Sequence, residues 1–298
     1  MTRIPACNLA ALVLSLGALL RDANLSTARA TVTTAVDGMA LAIEGEIQAQ
    51  DVPVFQKNIL DDRVISVELN SKGGDAFAAM EIGRMIRERW MWVDVELAGE
   101  CLSSCALIYI AGVHRKNFGT IGLHRPYLAG KPLTQAQLSD VVPKMLSAIR
   151  AYVWEMGVTD EFANIMMNTD PENVHTYDSN TIQELVPEQD PLYNEARVAH
   201  DARRFDLTTQ EYRQRAKESL SCGTYVIPGL DDCSSAILWG LSVQTFQDRN
   251  KKIQAACISE SREYSKFASS HVIGAKGNWD NPIVMNFENC ERKVMRGD

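Results

Sequence analysis

Three groups of residues with the chemistry of a serine hydrolase follow one another along the chain. Gly73 and Gly74 come first, at the end of a strand-like run, and their backbone N–H groups can bind a negatively charged oxygen. Ser103 follows at the junction of a strand-like run and an apolar stretch, and His124 lies on a later strand. Serine attacks a carbonyl carbon when a base such as histidine removes its proton. This order of groups therefore predicts nucleophilic catalysis by serine.

Alternating strand and helix patterns are expected to position these groups. The predicted strands are residues 40–47, 64–69, 91–97, 120–124 and 174–177, and the predicted helices are residues 75–89, 103–111, 134–157, 159–168 and 180–185. Asp75 directly follows the glycine pair and is the predicted N-cap of its helix. Pro143 predicts a kink in the helix that contains it, or a helix start near Ser139. The alternation indicates an α/β fold with a largely parallel sheet.

The first 30 residues have the pattern of a secretory signal peptide. Arg3 supplies a positive charge, residues 9–20 are apolar, and residues 28–30 read Ala-Arg-Ala, a typical cleavage site. The apolar run is short for a membrane span, although an uncleaved N-terminal anchor is the alternative. The pattern predicts a periplasmic or secreted protein.

The predicted export bears on the oxidation state of the cysteines, because disulfides form in oxidising compartments. Cys101 and Cys105 either pair with each other and stiffen the turn around Ser103, or remain buried thiols. The four cysteines near the C-terminus are expected to form two bridges, with three connectivities left open. No His/Cys spacing is typical of a zinc site, so we expect neither a metal nor a cofactor. The six cysteines after the predicted signal peptide are Cys101, Cys105, Cys222, Cys233, Cys257 and Cys290.

Composition and pattern divide the chain into regions. A net charge of −8 over 298 residues argues against a nucleic-acid partner. An α/β domain is expected over residues 31–190, followed by a charged linker over 191–204. Thr208 and Glu211 form a capping-box pattern at the start of the next helix. Residues 205–298 are therefore predicted to be a small, mainly helical, disulfide-stapled extension.

Three segments together resemble the ClpP/crotonase-like superfamily. They are Leu-Asn-Ser-Lys-Gly-Gly at 69–74, Cys-Leu-Ser-Ser-Cys-Ala-Leu-Ile-Tyr-Ile-Ala-Gly at 101–112, and Gly-Leu-His-Arg-Pro at 122–126. The chain is most similar to an exported, periplasmic, serine-protease-like branch, and the resemblance covers roughly residues 31–190. It implies a spiral of repeated ββα units, a peptide or protein substrate, and a homo-oligomer.

The resemblance also implies a role for each matching residue. Ser103 matches the nucleophile and is preferred to Ser104 because it lies nine positions before Gly112, as the helix frame of the family requires. His124 matches the general base. The backbone N–H groups of Gly74 and Ser104 match the oxyanion hole.

Three positions depart from the ClpP pattern. The third triad member is an aspartate in ClpP, and Asp170 and Glu172 are the candidates here, although Asp170 also suits a turn or a helix cap. Related proteases of the signal peptide peptidase A type use a Ser–Lys dyad, and Lys144 is the corresponding alternative base. A lysine acts as a base only if burial lowers its pKa. Lys72 replaces a proline that is frequent in ClpP-like proteins.

Two functional hypotheses follow. The first is an exported serine hydrolase that cleaves peptide bonds. The alternative is a non-catalytic ClpP-like binding or scaffold protein of the cell envelope, because a fold alone does not imply activity.

Overall fold

The chain forms an α/β structure with a mixed sheet. The structure is a computed structural model that describes residues 31–34, 38–61, 63–126, 134–223, 231–269, 271 and 277–297. The predicted signal peptide, residues 1–30, lies outside the described residues. None of the helices in the described ranges has the length and apolar character needed to cross a membrane.

The sheet divides into two branches at its third strand. The first half of β3 pairs with β4, and Ser71, near its end, pairs with Cys101 of β5. One branch continues from β4 to β6 and the other from β5 to β7 and β8. The strands are β1 (Thr31–Thr34), β2 (Ala40–Ile47), β3 (Ser66–Gly74), β4 (Trp92–Val95), β5 (Glu100–Leu102), β6 (His114–Asn117), β7 (Thr120–Leu123) and β8 (His175–Tyr177). The pairs β1–β2 and β7–β8 are antiparallel, so the sheet is mixed, whereas the five pairs between them are parallel.

Helices alternate with the strands and then continue alone to the C-terminus. They are α1 (Asp51–Asn58), α2 (Ala76–Glu88), α3 (Cys105–Tyr109), α4 (Gln135–Glu155), α5 (Asp160–Asn168), α6 (Ile182–Leu185), α7 (Pro191–Arg204), α8 (Thr209–Ser219), α9 (Asp232–Trp239), α10 (Val243–Ala256), α11 (Ile258–Ala268) and α12 (Pro282–Arg296). The segment predicted as a linker is therefore the helix α7.

Local signals position the elements around the site. Asp75 caps α2, because its carboxylate accepts hydrogen bonds from the N–H groups of Phe77 and Ala78 at 2.8 and 3.1 Å. Helix α4 begins at Gln135 and runs through Pro143, so a start near Ser139 is not observed. Both Pro143 and Ser139 are exposed, and water can bond the Ser139 carbonyl that proline leaves without an N–H partner.

Helix α3 lies in the centre of the main core. All five of its residues are buried, which explains why its sequence is apolar without a helical period. The buried hydroxyl of Tyr152 on α4 donates to the Leu107 carbonyl of α3 at 2.9 Å. This packing anchors the segment that directly follows Ser103.

The C-terminal extension consists of helices α8 to α12 in the described residues, together with two disulfides. The capping box of Thr208 and Glu211 opens α8 as predicted. Of the three connectivities, the structure contains Cys222–Cys233 and Cys257–Cys290. Asp231 lies beside the first bridge, but bonded sulfurs are not thiolates and cannot serve as metal ligands.

Aromatic side chains join the extension to the α/β domain. Trp279 contacts Trp90, which follows α2, and Tyr193 of α7, with ring centroids 5.6 and 5.8 Å apart. Trp279 also stacks on the imidazole of His200 at 5.1 Å.

The buried His200 makes stability depend on pH. Its Nδ1 lies 3.1 Å from a carboxylate oxygen of Asp201, and its Nε2 lies 3.0 Å from one of Glu288. Burial disfavours the imidazolium, but these hydrogen bonds outweigh it and raise the pKa of His200 from 6.5 to about 9. Because the folded pKa exceeds the unfolded one, the stabilisation is complete below pH 6.5 and is lost as the pH rises through about 9.

Thermal melting across this window checks the assignment. We expect the melting temperature of the wild type to fall more steeply between pH 6.5 and 9 than that of His200→Gln, which has no titrating imidazole. Parallel profiles for the two proteins would show that His200 is not charged in the folded state.

Candidate functional site

Ser103 occupies a tightly constrained turn between β5 and α3. Its φ of +57° is in the left-handed region, which is uncommon for a residue with a side chain. Its N–H donates to the Gly122 carbonyl of β7 at 2.8 Å. Cys101 and Cys105, on either side of the turn, are fully buried and form a disulfide with their Cα atoms 5.1 Å apart. Of the two alternatives for these cysteines, the structure contains the disulfide, and it clamps the turn that carries Ser103.

Gly73 and Gly74 bring the end of β3 against this turn. Their φ values are +95° and +148°. A Cβ atom at Gly73 would lie 2.7 Å from the Leu102 carbonyl oxygen and 2.8 Å from the Ser103 Cβ. A Cβ atom at Gly74 would lie 2.1 Å from the Ile47 carbonyl oxygen of β2. Only glycine fits both the conformation and the space at these positions.

His124 follows β7 and is buried, with 7% of its surface exposed. Its Nδ1 lies 2.9 Å from the carbonyl oxygen of Arg125. A carbonyl oxygen only accepts hydrogen bonds, so Nδ1 carries the hydrogen and the lone pair of the neutral ring is on Nε2. This is the tautomer that a base for a serine nucleophile requires.

Asp170 contacts the neighbour of His124. Its carboxylate forms an ion pair with the Arg125 guanidinium at 2.7 Å, and both side chains are about half exposed. The N–H of Arg125 donates to the Thr169 carbonyl at 2.8 Å. The end of α5, through Thr169 and Asp170, thus holds Arg125 in place, and Arg125 in turn contacts His124 through its own carbonyl group.

One cavity of about 540 Å³ brings the predicted site residues together. Gly74, Ser103, Ser104 and His124 all line it. Lys72 and Asp75 lie at its exposed rim, and three buried apolar side chains form another part of its wall. These apolar residues are Met145, Ile149 and Met166.

Other candidates lie elsewhere. Lys144 is 73% exposed and pairs with Asp140 at 2.6 Å, so it has none of the burial that a lysine base requires. Glu172 is exposed, and neither it nor Asp170 lines the cavity. Within the described part of the chain, no hydrogen bond joins the Ser103 hydroxyl to the His124 imidazole.

The Arg125 carbonyl is a group of the candidate site that the sequence did not predict. Every residue has a backbone carbonyl, so no residue type or spacing could have identified this one. The contact depends on the backbone conformation of residues 124 and 125, which follow β7.

Comparison with known proteins identifies no family for this chain. No protein-family model matches the chain, and no curated protein shows significant similarity to it. The resemblance to the ClpP/crotonase-like superfamily remains a prediction based on the three segments that carry it.

Proposed function

We propose that this protein is an exported serine hydrolase with a ClpP/crotonase-like domain, and that it cleaves peptide bonds. The observation that carries the proposal is the convergence of Gly74, Ser103 and His124 on one cavity. They come from three different places in the chain, and each has the residue type that its role requires.

The proposed reaction is acyl transfer through Ser103. The hydroxyl of Ser103 attacks the peptide carbonyl carbon while His124 takes its proton at Nε2. The N–H groups of Gly74 and Ser104 bind the oxygen that becomes negative. His124 then protonates the departing amine, and a water molecule hydrolyses the acyl-enzyme by the reverse sequence. No cofactor is needed for these steps.

The walls of the cavity favour a peptide with an apolar side chain near the bond to be cut. Met145, Ile149 and Met166 offer a buried apolar surface, and methionine adapts to side chains of different shape. Exposed Lys72 and Asp75 at the rim can contact the polar backbone of the peptide.

The order of strands supports a ClpP-like spiral. β4 and β5 are followed by α3, and β6 and β7 are followed by α4, so two ββα units occur in succession. β6 pairs in parallel with β4, and β7 pairs in parallel with β5, as a spiral requires. The homo-oligomer remains an expectation from the resemblance alone.

Three disulfides support export, because such bonds persist in oxidising compartments. The proposed route is the signal peptide of residues 1–30, which leads to the periplasm or outside the cell.

Labelling with a rhodamine-tagged fluorophosphonate tests the proposal. We expect the folded wild type to be labelled, and Ser103→Ala to lose labelling by about 10³-fold or more, because the nucleophile is gone. Ser265→Ala, which removes an exposed serine of α11, is the matched control and should label normally.

A non-catalytic binding protein is the second candidate. The observation that favours it is the missing hydrogen bond between Ser103 and His124 within the described residues, together with the pairing of Asp170 to Arg125. Folded wild-type protein that resists the fluorophosphonate would exclude the hydrolase and leave this candidate.

A further inference from the structure

Ser104 carries a buried hydroxyl that its surroundings do not satisfy. The residue is 2% exposed, and its Oγ makes no hydrogen bond with any described residue. Leaving a buried hydroxyl without a partner lowers the stability of the folded state, so such a group needs an explanation.

The hydroxyl has no structural role in the helix that it precedes. A serine at this position commonly accepts a hydrogen bond from the first turn, which requires an extended backbone. Ser104 is instead helical, with φ −63° and ψ −21°, and its side chain caps nothing. Ser71, an equally buried serine nearby, differs because its hydroxyl donates to the Gly45 carbonyl and accepts from the Gly73 N–H.

The location of Ser104 supplies the explanation. It lines the cavity beside Ser103, Gly74 and His124. Rotation about the single Cα–Cβ bond moves a serine hydroxyl between three staggered positions. We propose that the Ser104 hydroxyl turns towards bound substrate and donates a hydrogen bond to the developing oxyanion, as a side-chain donor beside the two backbone N–H groups. This inference rests on the proposed hydrolase function.

The reaction of Ser103 with a fluorophosphonate tests the proposed hydrogen bond from the Ser104 hydroxyl to the oxyanion. The Ser103 oxygen forms a bond to phosphorus, the phosphorus–fluorine bond breaks, fluoride leaves, and the proton of Ser103 passes to His124. Negative charge develops on the phosphoryl oxygen, which occupies the oxyanion position. Ser104 keeps its proton throughout and acts only as a donor.

The test compares labelling rate and melting temperature in matched variants. We expect Ser104→Ala to label about 10²-fold more slowly, as for loss of one oxyanion donor, without a fall in melting temperature. Ser104→Thr keeps a hydroxyl and should recover part of the rate. Ser219→Ala is the opposite control, because its fully buried hydroxyl donates to the Ala216 carbonyl at 2.7 Å far from the cavity. It should melt at a lower temperature and label at the wild-type rate.

The outcomes separate this inference from the proposed function. Equal labelling rates for wild type and Ser104→Ala would overturn the inference and leave the hydrolase intact. Slow labelling with a fall in melting temperature as large as that of Ser219→Ala would indicate a structural role and also overturn it. Absence of labelling in the folded wild type would overturn both.

Discussion

Replacement of Gly73 by alanine is expected to slow fluorophosphonate labelling by about 10²-fold or more, because small displacements of a nucleophile have effects of this size. The added Cβ would lie within 2.8 Å of the Leu102 carbonyl oxygen and the Ser103 Cβ. The disulfide and the hydrogen bond to Gly122 hold the Ser103 turn on its other sides, so the turn cannot retreat without losing its geometry.

Gly277→Ala is the matched control for this experiment. Gly277 has a φ of +84°, close to the +95° of Gly73, but a Cβ atom there would lie within 4 Å of none of the residues that the structure describes. Both variants carry the strain of a left-handed alanine, and only Gly73→Ala collides with the site. Equal labelling by the two variants would show that the contact between β3 and the Ser103 turn is unimportant.

Replacement of Asp190 by alanine is expected to lower the free energy of unfolding by about 3–5 kcal/mol, because it leaves the buried Arg115 and the partly buried Arg87 without their counter-charge. The Asp190 carboxylate lies 2.7 Å from the Arg87 guanidinium and 3.7 Å from that of Arg115, and it is 5% exposed. It also caps α7 by accepting hydrogen bonds from the N–H groups of Leu192 and Tyr193. Urea unfolding measures the loss.

Glu155→Ala is the control for Asp190→Ala. Glu155 pairs with Arg84 at 3.0 Å, but both side chains are about half exposed, so its removal should change stability little. Comparable losses in the two variants would contradict the importance of burial.

Burial alone would raise the pKa of Asp190, yet Arg87 and the Tyr193 N–H hold it below its ordinary value. Its contribution is therefore present near neutral pH and is lost on acidification through the lowered pKa.

Local sequence signals predicted those strands and helices whose residue types suit the environment that they occupy in the fold. The alternation of β2 gave its bounds, Ala40–Ile47, and Asp75 marked the start of α2. The three-residue strand β5 was missed because only its pairing with β3 and β7 defines it. The strand β6, His-Arg-Lys-Asn, was missed because its charges suggest solvent. Arg115 of β6 is nevertheless buried, where it donates to the Pro187 carbonyl.

The residues of the candidate site could be predicted where the residue type itself indicates the role. The order of the glycine pair, Ser103 and His124 drew attention to residues that line one cavity. Sequence spacing could not reveal that Lys144 points into solvent, because a helix has an exposed and a buried face and the choice depends on packing. The unsatisfied hydroxyl of Ser104 was equally hidden, since serine before a helix usually serves as a cap.

The contact between His124 and the Arg125 carbonyl has a consequence for mutagenesis and for rate. Alanine scanning of the acidic residues cannot remove this contact of the imidazole, because the carbonyl group belongs to the main chain. A carbonyl is a dipole without net charge, so it stabilises the imidazolium less than a carboxylate would. If the site works as proposed, this contact orients the imidazole but enhances the rate less than a carboxylate would. No side-chain substitution removes the contact.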